Sequence, residues 1–262
     1  GTKTEDLVKI IGSDTPGRYD AIRALARSGD ERAVDHLIGL LADRKEMVRR
    51  MAVTGLGNTG NVRAEKALIS ALKDEDVSVR REAVISLSKF RSPGVAGALK
   101  GALKDERRIV RWEAINALAR LGTPEAVKVL IRLLKYMSPT SRWRVTGALH
   151  GIDVPGTTKL VAAALKDKDN LTRKEIANIL DQRGWRPANK QEEAYYLIAC
   201  REWEKLRLLG KDAVMPLVDL LADDVAAIRN KALRLLVKIC GKQDACLLVN
   251  RLNDPDYLIR QG

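Results

Sequence analysis

The chain has 262 residues and a net charge of +13, with 45% hydrophobic and only 4% aromatic residues. No apolar run approaches the roughly 20 residues needed to span a bilayer, and no secretory signal stands at Gly1, whose place in front of the chain suggests a processed or engineered start. The odd set Cys200, Cys240 and Cys246 argues for reduced thiols in a cytoplasmic setting, and His36 and His150 lie in no ligand cluster, so neither a metal site nor a cofactor is expected.

In chain order, Glu5–Ile11 reads as a lone first helix, and Thr15 and Pro16 fit the cap and first position of a helix that covers Arg18 to Arg27 and closes near Gly29. Helical pairs then follow at about 31–42 with 47–57, and at about 62–73 with 78–89. Gly55, Gly57 and Gly60 are read as caps at the end of a helix. Ser92-Pro93 opens a fourth pair, Thr123-Pro124-Glu125 a fifth and Pro155 a sixth. Around 183–208 the pattern is interrupted: Trp185-Arg186-Pro187 reads as a non-helical link, and Glu192 to Leu208 as one or two short helices packed through Tyr195, Tyr196, Leu197 and Trp203. The regular pattern resumes at Lys211 and reaches Arg260, where a second helix has scarcely begun at Gly262. The native protein is therefore expected to continue, or this last stacking face to be covered by something else.

The pairs share a register. Arg18, Arg49, Arg80, Arg111, Arg142 and Arg173 stand thirty-one residues apart, and Arg229 and Arg260 repeat the step. Three residues after the arginine comes Ala21, Ala52, Ala83, Ala114, Val145, Ile176 or Ala232, and seven after it a leucine, from Leu25 to Leu236. Six residues before it stands Asp43, Asp74, Asp105, Asp167, Asp223 or Asp254, with Gly12 and Tyr136 breaking the column. A unit of this length holds two helices that cannot bury their apolar stripes alone, so the units must stack. The fold expected is all-α, an α-solenoid of about seven to eight two-helix repeats. It is expected to be one continuous domain made of residues 1–182, a variant insertion 183–210, and 211–262.

At 100° per residue, counting from the residue before the arginine as zero, positions zero, four, seven, eight and eleven of the second helix share one arc and should form the core. Positions two, six and nine fall opposite. The recurrent aspartate should accept amide protons at the start of the second helix, and the arginine should reach that carboxylate or its neighbour in the adjacent repeat. Those arginines are then structural. Position two holds Tyr19, Arg50, Arg81, Trp112, Trp143 and Lys174, a column with aromatic and basic members and no acid. Arg23 and Asn116 stand at position six, and Arg144 replaces the acid usual at position three. Trp112 and Trp143 occupy equivalent places in consecutive repeats, where their rings could flank an inserted group.

The motif Leu72-x-Asp74-x-x-x-x-Val79-Arg80-x-x-Ala83-x-x-x-Leu87 resembles the HEAT-like repeats first grouped with phycobilisome lyases. The interruption from Gly184-Trp185-Arg186-Pro187 through Trp203 to Pro216-Leu217 is similar to a variant module of bacterial and archaeal members. The resemblance implies the fold. In such solenoids the second helices usually line the concave face, so position two should lie on the binding face. Deoxyhypusine hydroxylase also resembles this repeat, but the His-Glu pairs that hold its iron are missing here, where Leu37 follows His36 and Gly151 follows His150.

Residues 101–200 carry 18 basic against 11 acidic side chains and supply most of the excess charge. Anionic partners are favoured. The reading preferred is a non-catalytic scaffold that holds an acidic protein segment or helix through Tyr19, Arg23, Arg50, Arg81, Trp112, Asn116, Trp143, Arg144 and Lys174. The alternatives are a nucleic-acid-binding protein, with arginine and lysine on phosphates and tryptophans stacked on bases, and a bilin lyase or lyase-like subunit, which the resemblance allows.

Overall fold

A computed structural model describes residues 4–12, 17–152, 154 and 156–241. The helix openings expected at Thr15 and Pro155, and the last repeat with Asp254 and Arg260, lie outside these residues. Every regular element among the described residues is helical. The chain forms two compact units, residues 1–130 and 131–262.

The first unit is a series of antiparallel helix pairs: α1 (Thr4–Ile11) with α2 (Arg18–Ser28), α3 (Val34–Leu40) with α4 (Glu46–Thr59), α5 (Val62–Ala71) with α6 (Val77–Leu87), and α7 (Pro93–Ala102) with α8 (Arg108–Leu121). The helix α9 (Pro124–Tyr136) carries the boundary between the units. In the second unit α10 (Pro139–His150) follows, then α11 (Thr157–Ala163) with α12 (Asn170–Gln182), the short α13 (Lys190–Cys200) and α14 (Trp203–Leu208), and α15 (Val214–Asp219) with α16 (Ala226–Cys240). These are stacked repeats of an α-solenoid.

Second helices of successive repeats lie side by side, α2 on α4, α4 on α6 and α6 on α8. Their inward residues are Val48, Val79 and Val110 at position zero and Ala52, Ala83 and Ala114 at position four, all buried. Leu56, Leu87 and Leu118 at position eight are buried as well. The buried arc is wider than helical geometry alone gives. Val53, Val84 and Ile115 at position five are closed off too, because a second helix is covered both by its own first helix and by its neighbours.

Two glycines require correction. Only Gly60 caps, at φ 65, after α4 has run on to Thr59. Gly55 and Gly57 lie inside α4, where they let second helices touch. A Cβ on Gly55 would come within 2.8 Å of the Ala26 Cα, and one on Gly57 within 2.5 Å of the Ser86 hydroxyl. Position nine is corrected with them in the first unit, whereas His150 and Asp181 at that position in the second unit are exposed. Ala26, Gly57 and Ser88 are buried in the contact between second helices and do not face solvent.

The arginine column forms a ladder. Arg49 crosses to the next repeat and meets both oxygens of Asp74 at 2.9 Å, while its other terminal nitrogen donates to the Asp43 carbonyl at 2.9 Å. Arg80 repeats this with Asp105 and the Asp74 carbonyl, and Arg18 binds Asp43 at 2.6 Å. The aspartate's remaining task is its own turn. Asp43, Asp74, Asp105, Asp167 and Asp223 each accept the amide two residues on, just before the second helix begins. Asp76 and Asp169 take over the N-cap itself, accepting from Ser78 and Val79 and from Thr172. Arg111, whose partner column holds Tyr136, keeps the bonds to the Asp105 and Glu106 carbonyls. Arg142 pairs at 3.4 Å with Asp169.

The insertion is built as part of the second unit. The Asn189 side chain accepts from the Glu192 amide at the start of α13, the Glu192 carboxylate accepts from the Ala188 amide, and Arg201 ends the helix at φ 60. Leu197, Ile198 and Leu206 share a core with Leu217, Leu220, Ile228, Leu235 and Leu236, and Trp203 packs against it. Trp185 and Tyr196 pack ring on ring at 5.8 Å. The ladder spans the insertion, because Arg173 reaches Asp223, fifty residues later, at 2.5 Å. Its Nε is buried and has no partner among the described residues.

Candidate functional site

With the recurrent arginines tied into the ladder, the side chains left for a partner are those of the columns beside it. In the first unit Tyr19, Arg50, Arg81 and Trp112 come from α2, α4, α6 and α8, and form a row across four neighbouring helices. Each sits one residue past a ladder arginine, so the same packing that buries the arginine points its neighbour outward. Tyr19 takes a hydrogen bond from Lys45 at 2.8 Å, and the same ammonium lies 5.3 Å from its ring. Arg50 lies 3.2 Å from the Met47 sulfur. The Arg108 guanidinium stacks 4.4 Å from the centre of the Trp112 ring.

The row is acid-free in sequence but not in space. Glu113 is close to Arg81 at 3.9 Å and binds Arg120 at 2.8 Å. The guanidiniums of Arg81 and Arg120 remain about half exposed, so this carboxylate orients them more than it neutralises them. Arg23 is exposed and within 3.6 Å of Asp20, and Asn116 is exposed beside the row.

In the second unit Trp143 is 63% exposed on α10, with the Arg144 guanidinium 4.5 Å from its ring centre. Lys174 is exposed on α12. Trp112 belongs to the first unit and Trp143 to the second, and the setting of each is that of its own unit.

A groove of about 580 Å³ opens between α10 and α12. Trp143, Thr146, Gly147 and His150 form one wall, and Glu175, Asn178, Asp181 and Gln182 the other. Both sets follow the helical spacing of three and four residues, so each is a single stripe. A smaller hollow of about 400 Å³, between α12 and α13, is lined by Leu171, Lys174, Asn178, Cys200 and Arg201 among others. Burial pushes the Cys200 thiol up, which disfavours a reactive thiolate.

His150, Glu175 and Asp181 were not among the partner-binding residues expected from the sequence. The signal was present in position nine. It is small in the first unit, as Ala26, Gly57, Ser88 and Ala119, and becomes His150 and Asp181 in the second. Small residues let helices close together, and large polar ones hold a groove open.

Burial would raise the carboxyls of Asp43, Asp105 and Asp169, but hydrogen bonds from backbone amides and side chains, with the charge of Arg18, Arg80 and Arg142, hold them below the ordinary value. Asp76 is held low chiefly by its bond from the Ser78 hydroxyl. These low values mark the scaffold and not a catalytic pair. No described helix is long and apolar enough to cross a membrane.

The HEAT-repeat family model matches residues 4–71 and again 65–137, together just over half of the chain. No curated protein matches it. Among solved structures, the complex of CpcE and CpcF of phycocyanin lyase from Nostoc sp. PCC7120 is similar at 21% identity and a TM-score of 0.48, over 91% of this chain and 95% of that one. An engineered protein is similar at 21% identity and a TM-score of 0.41, over 100% and 76%. A designed armadillo repeat protein is similar at 17% identity and a TM-score of 0.37, over 90% and 100%. Likenesses of this degree bear on no activity.

Proposed function

The chain belongs to the HEAT-repeat family, and from that premise we propose that it is a non-catalytic interaction scaffold whose second helices hold an acidic segment or helix of a partner protein. One observation carries the reading. The ladder withdraws Arg18, Arg49, Arg80, Arg142 and Arg173 into carboxylate pairs, while in the adjacent row Arg81 is exposed and Tyr19, Arg50 and Trp112 are partly exposed. Aromatic rings flanked by guanidinium groups are the usual anchors of protein interfaces. Trp143, Arg144 and Lys174 would serve in the same way on the second unit, with Arg23 and Asn116 at the side of the first.

The rings carry the apolar contact, and Arg50 and Arg81 meet carboxylates. Arginine does this with two parallel hydrogen bonds where geometry permits. Rim charges of this kind set orientation and encounter rate more than affinity.

The test uses fluorescence anisotropy of the full chain with a labelled acidic amphipathic peptide, and in parallel with a labelled DNA duplex. Replacing both Trp112 and Trp143 with alanine should abolish peptide binding and leave helicity by circular dichroism unchanged. Unaltered peptide binding by that variant would sink the reading. Tight duplex binding with a steep loss on added salt, and no peptide binding, would transfer the face to nucleic acid.

A further inference from the structure

The groove between α10 and α12 is chemically unlike the rest of this basic molecule. Its walls hold two carboxylates, Glu175 and Asp181, and an exposed indole, Trp143. The cation on its lining, Arg142, is offset by Asp169 at 3.4 Å. The carboxylates are held in place. The Thr146 hydroxyl lies 3.2 Å from Glu175, and the Tyr196 hydroxyl donates to Asp181. Both partners are hydroxyls and not cations, so among the described residues neither carboxylate is spent in an ion pair. Asn178 and Gln182 add further acceptors to the wall.

We propose that this groove receives an arginine side chain of a partner polypeptide. Three features select the ligand. Each stripe covers eight residues of helix, seven steps or about 10 Å at 1.5 Å per residue, long enough for an extended arginine and short for a helix. A planar guanidinium stacks on an indole and forks onto a carboxylate, and Trp143 and Glu175 lie at the same end of their stripes. Trp143 already carries a guanidinium, that of Arg144, so its ring is placed for this contact. A ligand carboxylate or phosphate would face Glu175 and Asp181 and be repelled.

The groove exists because of the packing change at position nine. Where the first unit places Gly57 against Ser86 and closes the space between α4 and α6, the second unit places His150 and Asp181. This inference rests on the reading of the chain as a polypeptide-binding scaffold and sharpens it. The partner segment would carry an arginine for α10 and α12 as well as its acidic residues.

The experiment titrates the full chain with the blocked tripeptide acetyl-Gly-Arg-Gly-amide and with its citrulline counterpart, which keeps the shape and loses the charge. Tryptophan side-chain signals are followed by NMR, with Trp143 assigned through Trp143→Phe. The arginine peptide should shift the Trp143 signal, and the citrulline peptide should bind at least about tenfold more weakly. The double variant Glu175→Gln, Asp181→Asn should lose the response while its thermal unfolding is unchanged. That same variant should still bind the acidic peptide through Arg50, Arg81 and Trp112, so the scaffold reading and the groove fail separately. Equal binding of the two tripeptides, or an undiminished response in the double variant, would overturn the assignment.

Discussion

Arg80 leaves its own repeat and closes on Asp105, twenty-five residues on, with Nε at 2.8 Å from one oxygen and a terminal nitrogen 3.2 Å from the other. The third nitrogen returns to the Asp74 and Glu75 carbonyls. One side chain thus joins two repeats and completes the turn of its own. Both members are more than nine-tenths buried. Arg80→Ala would leave the Asp105 charge buried without its partner, and breaking such pairs costs about 3–5 kcal/mol. Urea unfolding followed by circular dichroism should show that loss. A loss below about 1 kcal/mol, the value of an exposed pair, would mean the ladder is ornamental.

The same pairing sets the response to acid. Asp43, Asp76, Asp105 and Asp169 have folded-state values below that of an unfolded aspartate. A depressed carboxyl adds stability that is fully present above the unfolded value, about 3.9, and is lost as pH falls through the lower folded value. The urea midpoint should therefore hold steady down to about pH 4 and fall below it. Asp105→Asn should lower the plateau and flatten the fall. A midpoint that rises between pH 4 and pH 2.5 would contradict the assigned directions.

Gly57→Ala tests the close approach of second helices. Alanine gains about 1 kcal/mol of helix propensity over glycine at an interior position. Here the added Cβ would sit 2.5 Å from the Ser86 hydroxyl and 3.1 Å from its Cα, a contact that requires the helices to move. Overpacking of this kind costs about 1–3 kcal/mol, so the net effect should be destabilising. Gly57→Ala combined with Ser86→Gly should recover part of the loss. A stabilised Gly57→Ala variant would show that α4 and α6 part readily.

The ladder and the core were legible in the sequence because they repeat. Arg49 and Arg80 stand in one register with Asp74 and Asp105, and a spacing of thirty-one admits few other arrangements. Gly57 was misread as a cap because a glycine near a helix end usually is one, and the contact that needs it comes from Ser86 in another repeat. The groove was missed for a related reason. Asp181 departs from the small residues of position nine, while Glu175 keeps the acid usual at position three, and neither has a neighbour in sequence that marks it as lining a groove. Only the facing stripe from Trp143 to His150 makes a groove of them.

The insertion should prove integral to the second unit. Leu206, on α14, is fully buried in a core with Ala213, Leu217 and Ala232. Its truncation to alanine should cost about 2–5 kcal/mol, as for other buried leucines. Leu208, two residues on, is largely exposed. Leu208→Ala should change stability by less than about 0.5 kcal/mol. Similar small effects from both would mean that α14 rests on the surface.

The rung that crosses the insertion uses fewer nitrogens on its carboxylate than the Arg80 rung, and replacing arginine with lysine should reveal this. Arg80 uses Nε and both terminal nitrogens, two of them on the Asp105 carboxylate. Lysine has one ammonium and cannot serve the next repeat's carboxylate and its own turn's carbonyls together. Arg173 grips Asp223 through one terminal nitrogen, at 2.5 Å, while its Nε is buried without a partner among the described residues. Arg173→Lys therefore gives up fewer bonds to the carboxylate and removes a buried donor that the described residues leave unmet. Such a donor costs about 1–3 kcal/mol. Arg80→Lys should lower the urea midpoint clearly more than Arg173→Lys. If the two losses are equal, the carbonyl bonds that both arginines make from their third nitrogen, and not the carboxylate grip, carry the stability of the ladder.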